Sequence, residues 1–188
     1  MESRAKFLGH PIHPMLIVFP LGLFIASLIF DFVYLMTGDS TFAAVAFWNI
    51  AGGIIGGLIA AVFGFWDWLA IPSGTRAKAI GFWHGLGNVV VVTLFAIGWF
   101  LRLGNVAYEE SLLILGLSIV AVGLGSVTAW LGGELVDRLG VGVDPGANLN
   151  SPSSLSDEPA DANLVRAATE TPGEAAPPPA REREVGGR

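Results

Sequence analysis

Four apolar runs, at about residues 15–36, 42–70, 80–101 and 112–135, constrain this chain more than any other feature. Each reaches the ~20 residues with which a helix crosses a ~30 Å hydrocarbon core. The segments between them are turn-forming or charged: Thr37-Gly38-Asp39-Ser40, Ile71-Pro72-Ser73-Gly74-Thr75-Arg76-Ala77-Lys78, and the stretch from Arg102 to Glu110. Short connections make sequential helices antiparallel neighbours. The expectation is an all-α integral membrane four-helix bundle. The first run follows Arg4 and Lys6 as a signal peptide would, but it outlasts an h-region and three more runs follow, so it reads as a retained span.

Composition agrees: 53% of the 188 residues are hydrophobic and 14% charged, against about 25% charged in soluble domains. The apolar excess stops near residue 143. Residues 144–188, with Ser151-Pro152-Ser153-Ser154 and Pro177-Pro178-Pro179, hold no aromatic side chain. They bury too little apolar surface to offset ordering entropy, and a disordered polar tail is expected after a 1–143 transmembrane domain. The net charge of −6 contains no basic patch, which argues against a nucleic-acid partner. With no cysteine, disulfides, thiolate metal sites, iron–sulfur ligation and covalent c-type haem are excluded. Any metal must use His, Asp, Glu or Asn.

Arg4, Lys6, Arg76, Lys78 and Arg138 share one membrane side, whereas the opposite loops offer Asp39, Arg102, Glu109 and Glu110. The positive-inside rule then places both termini in the cytoplasm of a multi-pass plasma (inner) membrane protein. Gly52, Gly53, Gly56 and Gly57 form two overlapping small-xxx-small pairs that predict close helix packing, within the bundle in preference to a homo-oligomer. A faint internal echo runs alongside. The first and third spans each open with a histidine, His13 and His84, and the second and fourth each close with a tryptophan and an acid.

That topology gathers ionisable groups at the cytoplasmic end: His10 and His13 before the first span, Asp67 closing the second, His84 opening the third and Glu134 closing the fourth. Such groups are costly in a bilayer unless paired or facing a polar cavity, which makes them functional candidates. Asn88 follows His84 by one turn on the same face. Pro11 and Pro14 disfavour helix at His10 and His13, predicting a rigid extended segment that presents two imidazoles. Imidazoles with carboxylates suit a transition-metal ion, here His10, His13, Asp67, His84 and Glu134. A b-type haem would instead take His13 and His84 as axial ligands, with Asn88 beside them. Asp31, in the far half of the first span, reads as an interfacial carboxylate with Asn49 within reach as a hydrogen-bond partner.

The string Gly9-His10-Pro11-Ile12-His13-Pro14, with Phe30-Asp31, Trp66-Asp67-Trp68, Ile71-Pro72-Ser73-Gly74-Thr75-Arg76, His84 to Asn88 and Trp130-Leu131-Gly132-Gly133-Glu134-Leu135-Val136, resembles the bacterial DUF2231 transmembrane family over about residues 8–143. The resemblance implies a four-helix membrane domain with no assigned reaction, sometimes found beside Rieske-type iron–sulfur domains, and hence redox company. The functional expectation is a redox-associated metal-binding membrane protein. A b-type cytochrome and a non-catalytic scaffold are the alternatives. A redox partner protein and a homo-oligomer both stay open. A transporter fits less well, because the middle of the bundle offers few polar groups.

Overall fold

The computed structural model describes residues 1–109 and 111–169. Four long apolar helical stretches are present, Ile12–Thr37, Ser40–Ala70, Arg76–Arg102 and Leu112–Arg138, each long and apolar enough to cross a membrane. The chain is a multi-pass integral membrane protein of all-α architecture, and the observed stretches extend the expected runs by a few residues at most ends.

The first stretch is broken into α1 (Ile12–Leu16) and α2 (Val18–Thr37). Pro20 explains the break. It lacks an N–H, and its ring would meet the carbonyl of the residue four earlier, Leu16, where α1 stops. α2 ends at Gly38, whose φ of 70° supplies the left-handed cap that a side chain would resist. α3 (Ser40–Ala70) is capped by Asp39, whose carboxylate accepts from the Thr41 amide at 2.9 Å, and that bond holds Asp39 below its ordinary pKa. α4 (Arg76–Arg102) and α5 (Leu112–Gly133) start from Thr75 and Ser111 caps. The α3–α4 turn is closed by a reciprocal pair: Trp68 Nε1 donates to the Lys78 carbonyl at 3.1 Å and Lys78 Nζ to the Trp68 carbonyl at 2.7 Å. Five residues of π-helix, Glu134–Arg138, continue α5.

Neighbouring helices are antiparallel, and α2–α3 and α4–α5 are the closest pairs. Phe24, Ile50, Val91, Phe95 and Ala121 form the core between the two hairpins. The small-residue pairs work inside the bundle. Gly53 lies against the Phe24 ring, Gly56 against Phe19 and Pro20, and Gly57 against Val92 and Pro20.

Before the bundle, β1 (Lys6–Phe7) and β2 (His10–Pro11) form a hairpin around Leu8 and Gly9, both at positive φ as a two-residue primed turn requires. The segment is tied down at both sides of the helix ends. Ser3 Oγ and the Arg4 and Ala5 amides donate to the Asp67 carboxylate at 2.6, 2.7 and 3.3 Å, and the Met1 amino group donates to the Gly140 carbonyl at 2.9 Å. Hydrogen bonds to Asp144 and Glu2 hold the Lys6 ammonium above its ordinary pKa.

Residues Met1–Pro145 form one compact unit, and the described residues from Gly146 to Thr169 belong to a second. The second contains α6 (Ala162–Thr169), an element the sequence reading did not assign, and an Asn148–Asn163 side-chain pair at 3.1 to 3.2 Å. The expectation of disorder for residues 170–188 lies outside the described residues.

Candidate functional site

His13 lies one residue inside α1. The expectation of an extended backbone there is corrected: Pro14 falls in the first helical turn, where a missing N–H leaves no partner unsatisfied, so the helix starts through it. His10, on β2, keeps the extended conformation and is exposed. The His13 ring enters the bundle against α3, its Nδ1 lying 2.8 Å from the Ala60 carbonyl oxygen. A carbonyl only accepts, so Nδ1 carries the proton and, in the neutral ring, Nε2 keeps a lone pair. Gly64, one turn beyond Ala60, makes the space. A Cβ there would sit 2.8 Å from ring atoms of His13.

His84 repeats this arrangement on the other hairpin. Its Nδ1 lies 2.9 Å from the Thr128 carbonyl oxygen on α5, and Gly132, one turn beyond Thr128, would bring a Cβ to 3.1 Å from the ring. The two imidazoles face each other with centroids 6.2 Å apart and planes at 86°. Asn88 completes the group: its amide donates to the His84 carbonyl at 2.9 Å and, at a longer 3.3 Å, to His84 Nε2, while its Oδ1 accepts from Thr128 Oγ1 at 3.0 Å.

The carboxylates do not join them. Asp67 is taken up by Ser3, Arg4 and Ala5, and Glu134 accepts from Arg76 at 2.5 Å. Among the described residues no three His, Asp or Glu side chains converge on a point that could hold a metal ion. The expected ion site of His10, His13, Asp67, His84 and Glu134 therefore reduces to the His13–His84 pair. The cause is long-range: the Ser3 hydroxyl and the Arg4 and Ala5 amides of the folded-back N-terminus take up Asp67, and the Arg76 guanidinium at the start of α4 takes up Glu134.

A second polar constellation lies at the opposite end of α2 and α4. Arg102 donates from both terminal nitrogens to Asp31, at 2.9 and 2.6 Å, and both side chains are fully buried. This corrects the reading of Asp31 as an interfacial carboxylate near Asn49. Removing one partner from such a pair leaves an uncompensated charge, at a cost of about 3–5 kcal/mol. The signal was available in the sequence as one acid inside a span and one base at the end of another. Arg102 reads as a loop residue because the third apolar run stops at residue 101.

The sequence profile of the DUF2231 family, described as predicted membrane proteins, matches residues 9–145. The chain belongs to this family. No curated protein and no solved structure matches it. The family match spans the four helices, and within it the motif residues of this DUF2231 protein acquire physical roles. Gly9 makes the hairpin turn at φ 83°, His13 and His84 form the central pair, Asp67 holds the N-terminal segment, and Gly132 leaves room for the His84 ring.

Proposed function

We propose that this protein is a redox-associated membrane protein that holds one b-type haem between His13 and His84. The observation that supports this reading is the facing pair of imidazoles, 6.2 Å apart, contributed by two different hairpins. His13 and His84 would hold the haem iron between the two hairpins. Both rings spend Nδ1 on a backbone carbonyl, which fixes the tautomer with Nε2 as ligand, a common outer arrangement for metal-bound histidine. Asn88 stands at His84 Nε2 through its longer bond alone and keeps its bonds to the His84 carbonyl and Thr128 when that contact is released.

A haem there supplies reversible one-electron transfer. The protein's own contribution is to fix two ligands on separate hairpins and exclude water through apolar helices. A redox partner protein would dock at the end carrying the basic loops. The same reading places the chain in the plasma (inner) membrane with both termini cytoplasmic.

Protein purified in mild detergent from its native membranes is expected to show a Soret band and stoichiometric iron. His13→Ala and His84→Ala should each abolish the band while far-UV helicity persists. Asn88→Ala, which removes no ligand, should retain it. Wild-type protein without chromophore or stoichiometric metal would overturn the proposal and leave a scaffold role.

A further inference from the structure

The facing histidines are one of three such meetings. His13 and His84, Phe24 and Phe95, and Asp31 and Arg102 are each separated by 71 residues in the chain, and each pair is in contact. Phe24 and Phe95 stack with centroids 4.0 Å apart and planes within 4° of parallel. The buried residues of α2, Phe24, Ser27 and Asp31, recur 71 positions later as Phe95, Gly98 and Arg102 of α4. On the second helix of each hairpin the offset is 68. Every buried residue of α5 follows a buried residue of α3 by that number, as Leu115 follows Phe47, Ser118 follows Ile50 and Thr128 follows Ala60. The histidine seats repeat with it, carbonyl Ala60 and notch Gly64 answering to Thr128 and Gly132.

Each hairpin contains two spans, so both begin on the same side of the membrane. Equivalent parallel repeats of this kind are related by an axis along the membrane normal. Contacts on a two-fold axis bring a residue against its own equivalent. His meets His and Phe meets Phe. At the third position the equivalents carry opposite charge. A second copy of the first hairpin docked in place of the second would set Asp31 against another Asp31. A second copy of the second hairpin would set Arg102 against another Arg102. Arg against Arg cannot shed its charge, and Asp against Asp can be buried only by holding a proton between the carboxylates, so each contact is costlier than the Asp31–Arg102 pair.

We infer that the chain is a duplicated two-helix hairpin with a pseudo-two-fold axis, and that the Asp31–Arg102 pair on that axis is the element by which the first hairpin recognises the second and rejects a copy of itself. The inference does not depend on a haem at the histidines.

Charge exchange in the full-length chain tests it. Asp31→Arg puts Arg against Arg, and Arg102→Asp puts Asp against Asp. Each single variant should lose at least about tenfold of the monodisperse detergent-solubilised yield. The Asp31→Arg/Arg102→Asp double variant should return to within about twofold of wild type, because equivalent positions tolerate the exchange. Recognition is read separately by co-expressing differently tagged Asp31→Arg and Arg102→Asp chains. Hairpin exchange between those two chains restores both opposite-charge pairs, and the short hinge between hairpins favours such exchange. The tags should co-purify well above the level of two wild-type chains. Singles with wild-type yield, a double variant no better than the singles, or co-purification at the wild-type level would each overturn the inference.

Discussion

A methyl group is the smallest probe of the two histidine seats. At Gly64 it would lie 2.8 Å from both Cε1 and Nδ1 of His13, and the ring cannot retreat without stretching its bond to the Ala60 carbonyl. Overpacking of that kind costs about 1–3 kcal/mol, more than the roughly 1 kcal/mol that alanine gains over glycine in a helix. Gly64→Ala should therefore lower the thermal midpoint in detergent. At Gly132 the contact is 3.1 Å from His84 Cε1 and 3.5 Å from Nδ1, so a shift of a few tenths of an ångström suffices. There the two effects nearly cancel, and Gly132→Ala should melt close to wild type. A Gly64→Ala protein as stable as wild type would show that His13 does not need this seat. Both histidines were legible as candidates, since imidazoles in an apolar chain are conspicuous. Their glycine seats were not, because a glycine's role depends on which side chain the neighbouring helix turns toward it.

The helices themselves were the most legible elements, because run length and cap residues such as Asp39, Thr75 and Ser111 fix them locally. Most of the misread features depend on long-range contacts. Asp67 has the appearance of a membrane-embedded ligand, yet it closes on residues more than 60 positions earlier, which no local pattern announces. Pro14 disfavours helix at His13 by the pre-proline rule, yet a first-turn proline permits it. Asp31 needed Arg102, and pairing them requires knowing that α2 and α4 present these faces to each other. The role of Asp67 can be checked at the scale of the element it anchors. Asp67→Ala removes the acceptor of three hydrogen bonds and should cost about 1–3 kcal/mol. Amide exchange should accelerate across residues 3–7 while protection in the cores of α2 to α5 is retained. Unchanged protection at residues 3–7 would mean that the hairpin and the Met1–Gly140 contact hold the segment without Asp67.

At the scale of the whole molecule, loop charge bears on orientation. An even number of spans puts the N-terminal segment, the α3–α4 turn and the end of α5 at one end of the bundle, and with them Arg4, Lys6, Arg76, Lys78 and Arg138. Arg102 is the one base that the sequence assigns to the opposite loops, and it is buried against Asp31. Asp39 and Glu109 stay at that end, and acids contribute little to orientation. The count of loop bases is thus more lopsided in the folded protein than in the sequence. By the positive-inside rule these bases would set the sense of the first span, and three short connections would carry it through the rest. A reporter active only outside the cytoplasm should be silent when fused at the C-terminus and active when inserted at Gly38 or Gly104. A Cβ at Gly38 or Gly104 would meet nothing within 4 Å, and both positions lie in the connections outside the helices. Activity at the C-terminus with silence at both insertions would invert the protein in the membrane. The histidine pair would then lie toward the outer face, and its redox partner would have to approach from there.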